Sequence, residues 1–581
     1  MRFLPSDMSK RRTAEAILGP GGLDRERQQQ RQRQQQVSNG IRYAAPGDWP
    51  EAPTSTSAGL PAAPSIAHIA LNRLAYSPRP GDVDAFNALA GGNVARLTAW
   101  VDQQLAPGSI NDSARLSREN AAGFQTVHKT AQQVWNQHVV PRASLEWVDY
   151  IRPYLETERT AMLRAAYSER QLFEVMVMFW HDHFSIFGRD TGPMFLIYDR
   201  DVIRANALGN FRTLLEAVTK SNSMMFYLDL EWNSYEPYLP NDGLNENFAR
   251  ELLELHTLGD EHFFGNIDPS EVPLNADGDR AGYTDADVTM AARCLTGWTI
   301  DNKPWVNGLG NTGVFRYHHP WHDDVNDKVV LGNSLTDKSV HEKDGQDLLN
   351  ILASHRATAV HVCTKLCRRL VSDFPDPALV EAAADVFQSA WQDSDQIAQV
   401  VRTIVLSSDF RTTWGEKIKR PFEIAMGAIR AANADFKFDE GDYGNALTWR
   451  LFNTGHLPFN WHPPNGYPDI RFAWASTSPM VMSWSLCNWM VQANDPSGQK
   501  YIDTIGQIPA NVRTPTELVD FWTDRILDRP FPSADRQALI DYVADGEDPN
   551  TPLVFGPSWN VPDRVRGIVS LIFMSPSFLW R

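Results

Sequence analysis

NENFARELLELHTLG, residues Asn245 to Gly259, decides how the rest of the chain is read. On an α-helix, Phe248, Leu252 and Leu255 fall at i, i+4 and i+7 and make an apolar stripe, which Leu253 and His256 widen. Asn247, Arg250, Glu251 and Glu254 fall at i, i+3, i+4 and i+7 and make a polar stripe beside it. Gly259 supplies a C-terminal stop. Two carboxylates, an arginine and an amide against so much apolar surface describe either a solvated face or a buried polar site.

Helical periodicity recurs on both sides of this stretch. Residues 143–167 and 169–184 read as two helices, Asn210–Ser221 as a third and Thr284–Trp298 as a fourth. In the last, Thr284 is the N-cap and Asp287 completes a capping-box pattern. From Gly345 to Phe410 and again through KIKRPFEIAMGAIRAA the pattern stays helical. Trp449–Asn465 reads as a Pro/Trp/His-rich loop, after which helices resume to the end. Strand signals are almost absent. The expected fold is mainly α: a large single helical body with long irregular loops and few or no strands.

The flanks set the expected domains. Residues 1–62 hold a Gln/Arg run, RERQQQRQRQQQ, and a Pro/Ala-rich piece, and read as a disordered, slightly basic arm. Residues 63–581 form the helical domain, with 260–345 a loop-rich insertion and 490–581 a C-terminal helical extension. MSKRRTAEAILG carries basic residues, but no apolar run of a signal peptide follows. As written the chain reads as cytoplasmic, and a mis-called start would open a twin-arginine export route.

Composition narrows the function. A formal charge of −17 over 581 residues argues against nucleic acid or an anionic membrane as the main partner. No apolar run reaches the roughly 20 residues of a membrane span. Cys363 and Cys367, four apart in HVCTKLC, read as core packing. The chain lacks the phosphate-loop, serine-elbow and H-E-x-x-H patterns, and GLGNTG at 308–313 has neither a strand before it nor a helix after it.

Four further clusters carry polar chemistry. His181, Asp182 and His183 end an apolar helix, with Glu174 on the face of His181. Asp285, Asp287 and Arg293 lie on the Thr284 helix. His318, His319, His322, Asp323 and Asp324 fill one loop, and His456, Trp461, His462, Asn465 and Gly466 another.

Taken together, these blocks resemble one family, the domain of unknown function 1800 family, bacterial proteins often encoded beside sulfatase-like partners. The resemblance rests on HIALNRLAYSPRPGDV (His68–Val83), FWHDHF (Phe179–Phe184), YDRDVIRANALGNFRTLL (Tyr198–Leu215), the opening stretch, GYTDADVTMAARCLTGW (Gly282–Trp298), the HDD loop ending in KVVLG, ATAVHVCTKLCRRLVSD (Ala357–Asp373), KIKRPFE (Lys417–Glu423) and PPNGYPDIRFAW (Pro463–Trp474). It implies no reaction. It implies a nearby-encoded protein as partner, and export by twin-arginine leaders in many relatives.

Two functions are expected. In the first, the chain is a metal-dependent enzyme, redox chemistry being favoured over hydrolysis. His181, His183, Glu251 and Glu254 would bind a divalent transition metal (Fe, Zn, Mn or Cu), with Glu251, Glu254, Arg250 and His256 carrying the chemistry. Haem on His183 or His256 ranks below this. In the second, the protein is a non-catalytic scaffold: Arg250 pairs with Glu246 or Glu254, and Glu251 and Glu254 accept from core residues such as Arg204 or Arg73.

Overall fold

The computed structural model describes residues 63–235, 243–335, 342–437, 446–494, 500–554 and 560–581. The arm expected over 1–62 lies outside the described residues. The chain divides into two units, residues 1–56 and 57–581.

The described residues are mainly α-helical, as expected. We number the principal helices α1 to α15: α1 (Trp147–Tyr167), α2 (Gln171–His183), α3 (Phe211–Thr219), α4 (Asn247–Glu251), α5 (Asp285–Cys294), α6 (Lys343–Ser354), α7 (Arg356–Leu370), α8 (Pro377–Ser389), α9 (Gln396–Val405), α10 (Pro421–Ala431), α11 (Ala446–Asn453), α12 (Thr477–Met490), α13 (Pro515–Leu527), α14 (Ser533–Ala544) and α15 (Val561–Met574). Only short strands accompany them. β1 (Trp298–Ile300) pairs antiparallel with β2 (Phe315–Tyr317), and β3 (Val329–Val330) with β4 (Asn333–Ser334).

One apolar core runs through the body. Trp180, Leu252, Trp298, Val362, Phe422, Trp522 and Phe573 all belong to it. Helix α2 is apolar almost all round and is buried against α1, Tyr198–Ile203 and Asn93–Gln104, with Phe459 and Gly466 from the loop before α12 at its end. Helix α13 packs against α10, and α15 against α12 and α13, so the C-terminal segment closes the same core as the family blocks.

Local rules explain the boundaries. Thr284 caps α5: its hydroxyl accepts from the Asp287 amide, and the Asp287 carboxylate accepts from the Thr284 amide at 2.9 Å. That helix stops at Cys294 rather than Trp298, because Gly297 takes φ +78° and lets Trp298 begin β1. The expected loop at Trp449–Asn465 starts as helix α11: Leu447 and Leu451, one turn apart, are buried and hold it to the core.

Candidate functional site

The opening stretch is not a plain α-helix. After the five residues of α4, Leu252–His256 widen into a π-turn. Such a turn fits one extra residue into the helix and occurs often at functional sites. The Thr257 hydroxyl donates to the Leu252 carbonyl at 2.6 Å and the Gly259 amide to the Leu253 carbonyl at 3.1 Å, which ends the segment. Phe248, Leu252, Leu253 and His256 are fully buried, and Arg250, Glu251 and Glu254 are half-buried at the rim.

Arg250 turns away from the two carboxyls that follow it. It pairs with Asp285 on α5 at 3.1 Å and with Glu246, one turn earlier, at 3.6 Å. Among the described residues, neither Glu251 nor Glu254 has a hydrogen-bond or ion-pair partner. Burial, and then the neighbouring Glu254, push the Glu251 carboxyl up to about 8 against the pull of Arg250. Burial and Asp260 raise Glu254 as well. The buried Tyr283 hydroxyl, in electrostatic reach of Glu254 and Asp260, also lacks a partner among the described residues. Arg204 and Arg73, expected near these carboxyls, serve elsewhere: Arg204 binds Glu174 at 2.6 Å, and Arg73 donates to the Phe410 and Thr413 carbonyls.

The three polar residues that end α2 are about 100° apart around the axis and enter three environments. His181 Nε2 meets the Asp199 carboxylate at 3.0 Å, with its ring against Phe459 and Phe195. Burial opposes ionisation of Asp199, yet His181, Arg204 and Arg164 hold it below the usual carboxylate range. Asp182 accepts from Arg420 at 2.7 Å. His183 Nε2 donates to the His256 carbonyl at 3.1 Å. That bond fixes the proton on Nε2 and makes Nδ1 an acceptor, which has no partner among the described residues. Among these residues no group of three or more His, Cys, Asp or Glu stands where it could hold a metal ion. The structure thus brings His183 to His256 and Glu251 to Glu254, while His181 faces Asp199.

Behind His183 lies a second cluster. His361 on α7 bridges the Glu261 carboxylate, 3.0 Å from Nδ1, and the Leu255 carbonyl, 3.3 Å from Nε2. Its ring centre is 6.2 Å from that of His183. Both nitrogens of the fully buried His256 lack partners among the described residues. Burial, then Lys365 and His361, lower His256 to about 3, so its imidazole is neutral. The same causes, with His256 added, hold His183 well below its ordinary range.

The third feature is a buried charge network. Glu423 on α10 receives Arg369 of α7, Arg420 at 3.1 Å and Arg581 at 3.3 Å. Lys417 joins Asp373 at 2.8 Å to Asp469 at 3.1 Å. The network links FWHDHF, ATAVHVCTKLCRRLVSD, KIKRPFE and PPNGYPDIRFAW through Asp182, Arg369, Glu423 and Asp469. Gly466, at φ +73°, lets the last block lie on the end of α2, since a Cβ there would stand 1.9 Å from the Asp182 carbonyl oxygen. The Asp/His loop is tied down similarly: His322 meets Asp344 at 3.1 Å, and Asp323 receives Arg293 at 2.9 Å.

Residues 69–580 match the family described as a protein of unknown function, DUF1800. The chain belongs to the DUF1800 family. No curated protein and no solved structure matches it. The family's description carries no reaction, so the blocks of this DUF1800 chain are read from their geometry. Sequence reasoning missed His361, Lys365, Glu261, Arg420 and Glu423 as members of these clusters. A signal for two of them was present: His361 and Lys365 share a helix face at the i, i+4 spacing that drew attention to Cys363 and Cys367 beside them.

Proposed function

We propose that this chain is an enzyme that moves protons at the rim of the π-turn, with Glu251 as general acid. The observation that carries the reading is the Glu251–Glu254 pair, half-buried and without a partner among the described residues while the adjacent Arg250 is engaged elsewhere. Two neighbouring carboxyls that share a poorly solvated site resist joint ionisation, which keeps one of them protonated near neutral pH. Glu254 then serves as the ionised partner, and Tyr283 as a hydroxyl donor beside it. Proton transfer takes the place of metal-assisted redox chemistry because the expected ligands His181 and His183 face different partners.

The test is the titration of Glu251, followed by carbon-13 NMR of labelled glutamate with Glu251→Gln as the assignment control. A midpoint near 8 is expected. A midpoint in the ordinary range near 4.5 would sink the reading. A screen of small hydrolysable and eliminable substrates then compares wild type with Glu251→Gln, and any true activity falls at least a hundredfold in the variant.

The scaffold reading has its own observation. The Glu423 network accounts for four of the family blocks by structural ion pairing alone. Under it, Glu251→Gln changes neither activity nor partner binding.

A further inference from the structure

Helix α12, TSPMVMSWSLCNWM, carries no charge and is apolar on two sides. Its inner side, Ser483, Leu486, Cys487 and Met490, is buried, and the helix packs on α10 and α15. Its outer side presents Val481, 50% exposed, Trp484, 42%, and Met482, 37%. Helix α11 lies alongside, with the Arg450 guanidinium 4.7 Å from the centre of the Trp489 ring. It adds Trp449, 48% exposed, and Phe452, 43%, their rings stacked 5.7 Å apart. A helix that is apolar outside as well as inside calls for a second covering layer.

The outward positions say what that layer is. Thr477, Val481, Trp484 and Asn488, all exposed, follow the 4-3-4 spacing by which one helix packs on another. This seam is its own complement. Turned end for end, it sets Val481 against Trp484 and Thr477 against Asn488, apolar on apolar and polar on polar. That is the isologous contact of a two-fold dimer. Charge selects the same occupant. Two copies of a chain with formal charge −17 repel each other. Helices α11 and α12 together hold no acidic residue and one basic residue, Arg450, so here two copies meet without opposing like charges. A lipid surface fits less well, because helices that lie on membranes carry a Lys/Arg-rich polar side, which α12 lacks. The area also suffices. The five exposed side chains offer on the order of 500 Å², close to the apolar share of the roughly 800 Å² that each partner of a stable dimer buries.

We propose that the protein is a homodimer in which α12 packs antiparallel on the α12 of a second copy, with Val481 and Trp484 at the centre and α11 on the flank. Light scattering on the full chain, separated by size, tests this. Twice the chain mass is expected at about 10 µM, since interfaces of this size hold at micromolar concentration or below. Trp484→Glu, with circular dichroism matching wild type, is expected to run as a monomer. The register is tested separately, with Trp484 intact, by oxidative cross-linking. A mixture of Thr477→Cys and Asn488→Cys chains is expected to cross-link at least tenfold faster than either variant alone. A wild-type monomer overturns the proposal, whether or not it binds phosphatidylcholine vesicles. So does a dimer that Trp484→Glu leaves intact, or a mixture that cross-links no faster than its components.

Discussion

At the scale of single residues, the structure distinguishes carboxyls that are compensated from those that are not. Glu251 is uncompensated, and linkage fixes the sign of its effect. Its folded-state value, about 8, is above the ordinary 4.5, so the folded state binds the proton more tightly than the unfolded chain. Stability from this group is complete below pH 4.5 and is lost as pH rises towards 8. Glu251→Gln removes that loss, and we expect it to stabilise the protein at pH 9 by about 1–2 kcal/mol, the part a half-open carboxyl retains. At pH 4 the variant is expected to match wild type. Thermal unfolding at the two pH values checks this. Glu423 is the opposite case, a fully buried carboxylate whose charge three guanidiniums require. Glu423→Gln leaves those charges buried without their counterion, and a loss of about 3–5 kcal/mol is expected in denaturant unfolding. The sequence showed which residues near Glu251 are polar and which are buried, His256 included. It did not show the direction of Arg250, because Glu246, Glu254 and Asp285 all lie within reach of a long flexible side chain.

At the scale of elements, most helices follow from periodicity and caps. The Thr284–Asp287 box needed only the letters and their spacing. Two elements escaped. Helix α11 was hidden by its Trp, Arg and Phe content, although Leu447 and Leu451 carry the core-facing spacing. The π-turn was hidden because a 3.6-residue pattern and its one-residue insertion differ too little over five residues to show in side-chain polarity. The contact of PPNGYPDIRFAW with α2 is a matter of one glycine. Gly466→Ala meets both a left-handed φ and the Asp182 carbonyl. We expect a cost of about 2–4 kcal/mol. A weakened Asp182–Arg420 pair should follow, visible as a changed midpoint of acid unfolding.

At the scale of the whole molecule, the described body behaves as one core rather than a family domain with an appendage. Helices α12 and α13 cover α10, α15 packs on both, and Arg581 reaches Glu423. Truncation after Val491 exposes the α10 surface that α13 covers, and we expect loss of a cooperative thermal transition rather than a shorter folded protein. The all-α class was legible because apolar residues recur with helical spacing nearly throughout. A single body over 63–581 was expected too; what the sequence did not show is which charges close it, because Arg369 and Arg581 lie far from Glu423 in the chain.

The Glu423 network also sets an order of events. Its members arrive from Asp182, Arg369, Arg420, Asp469 and Arg581, so loop closure over most of the chain precedes their meeting. Until both distant guanidiniums dock, α10 cannot pack without desolvating a lone anion. A proton can stand in for them during that interval. Refolding at pH 5 is therefore expected to reach a compact early species faster than at pH 8, and to complete the last, slow step only as that proton is exchanged for arginine.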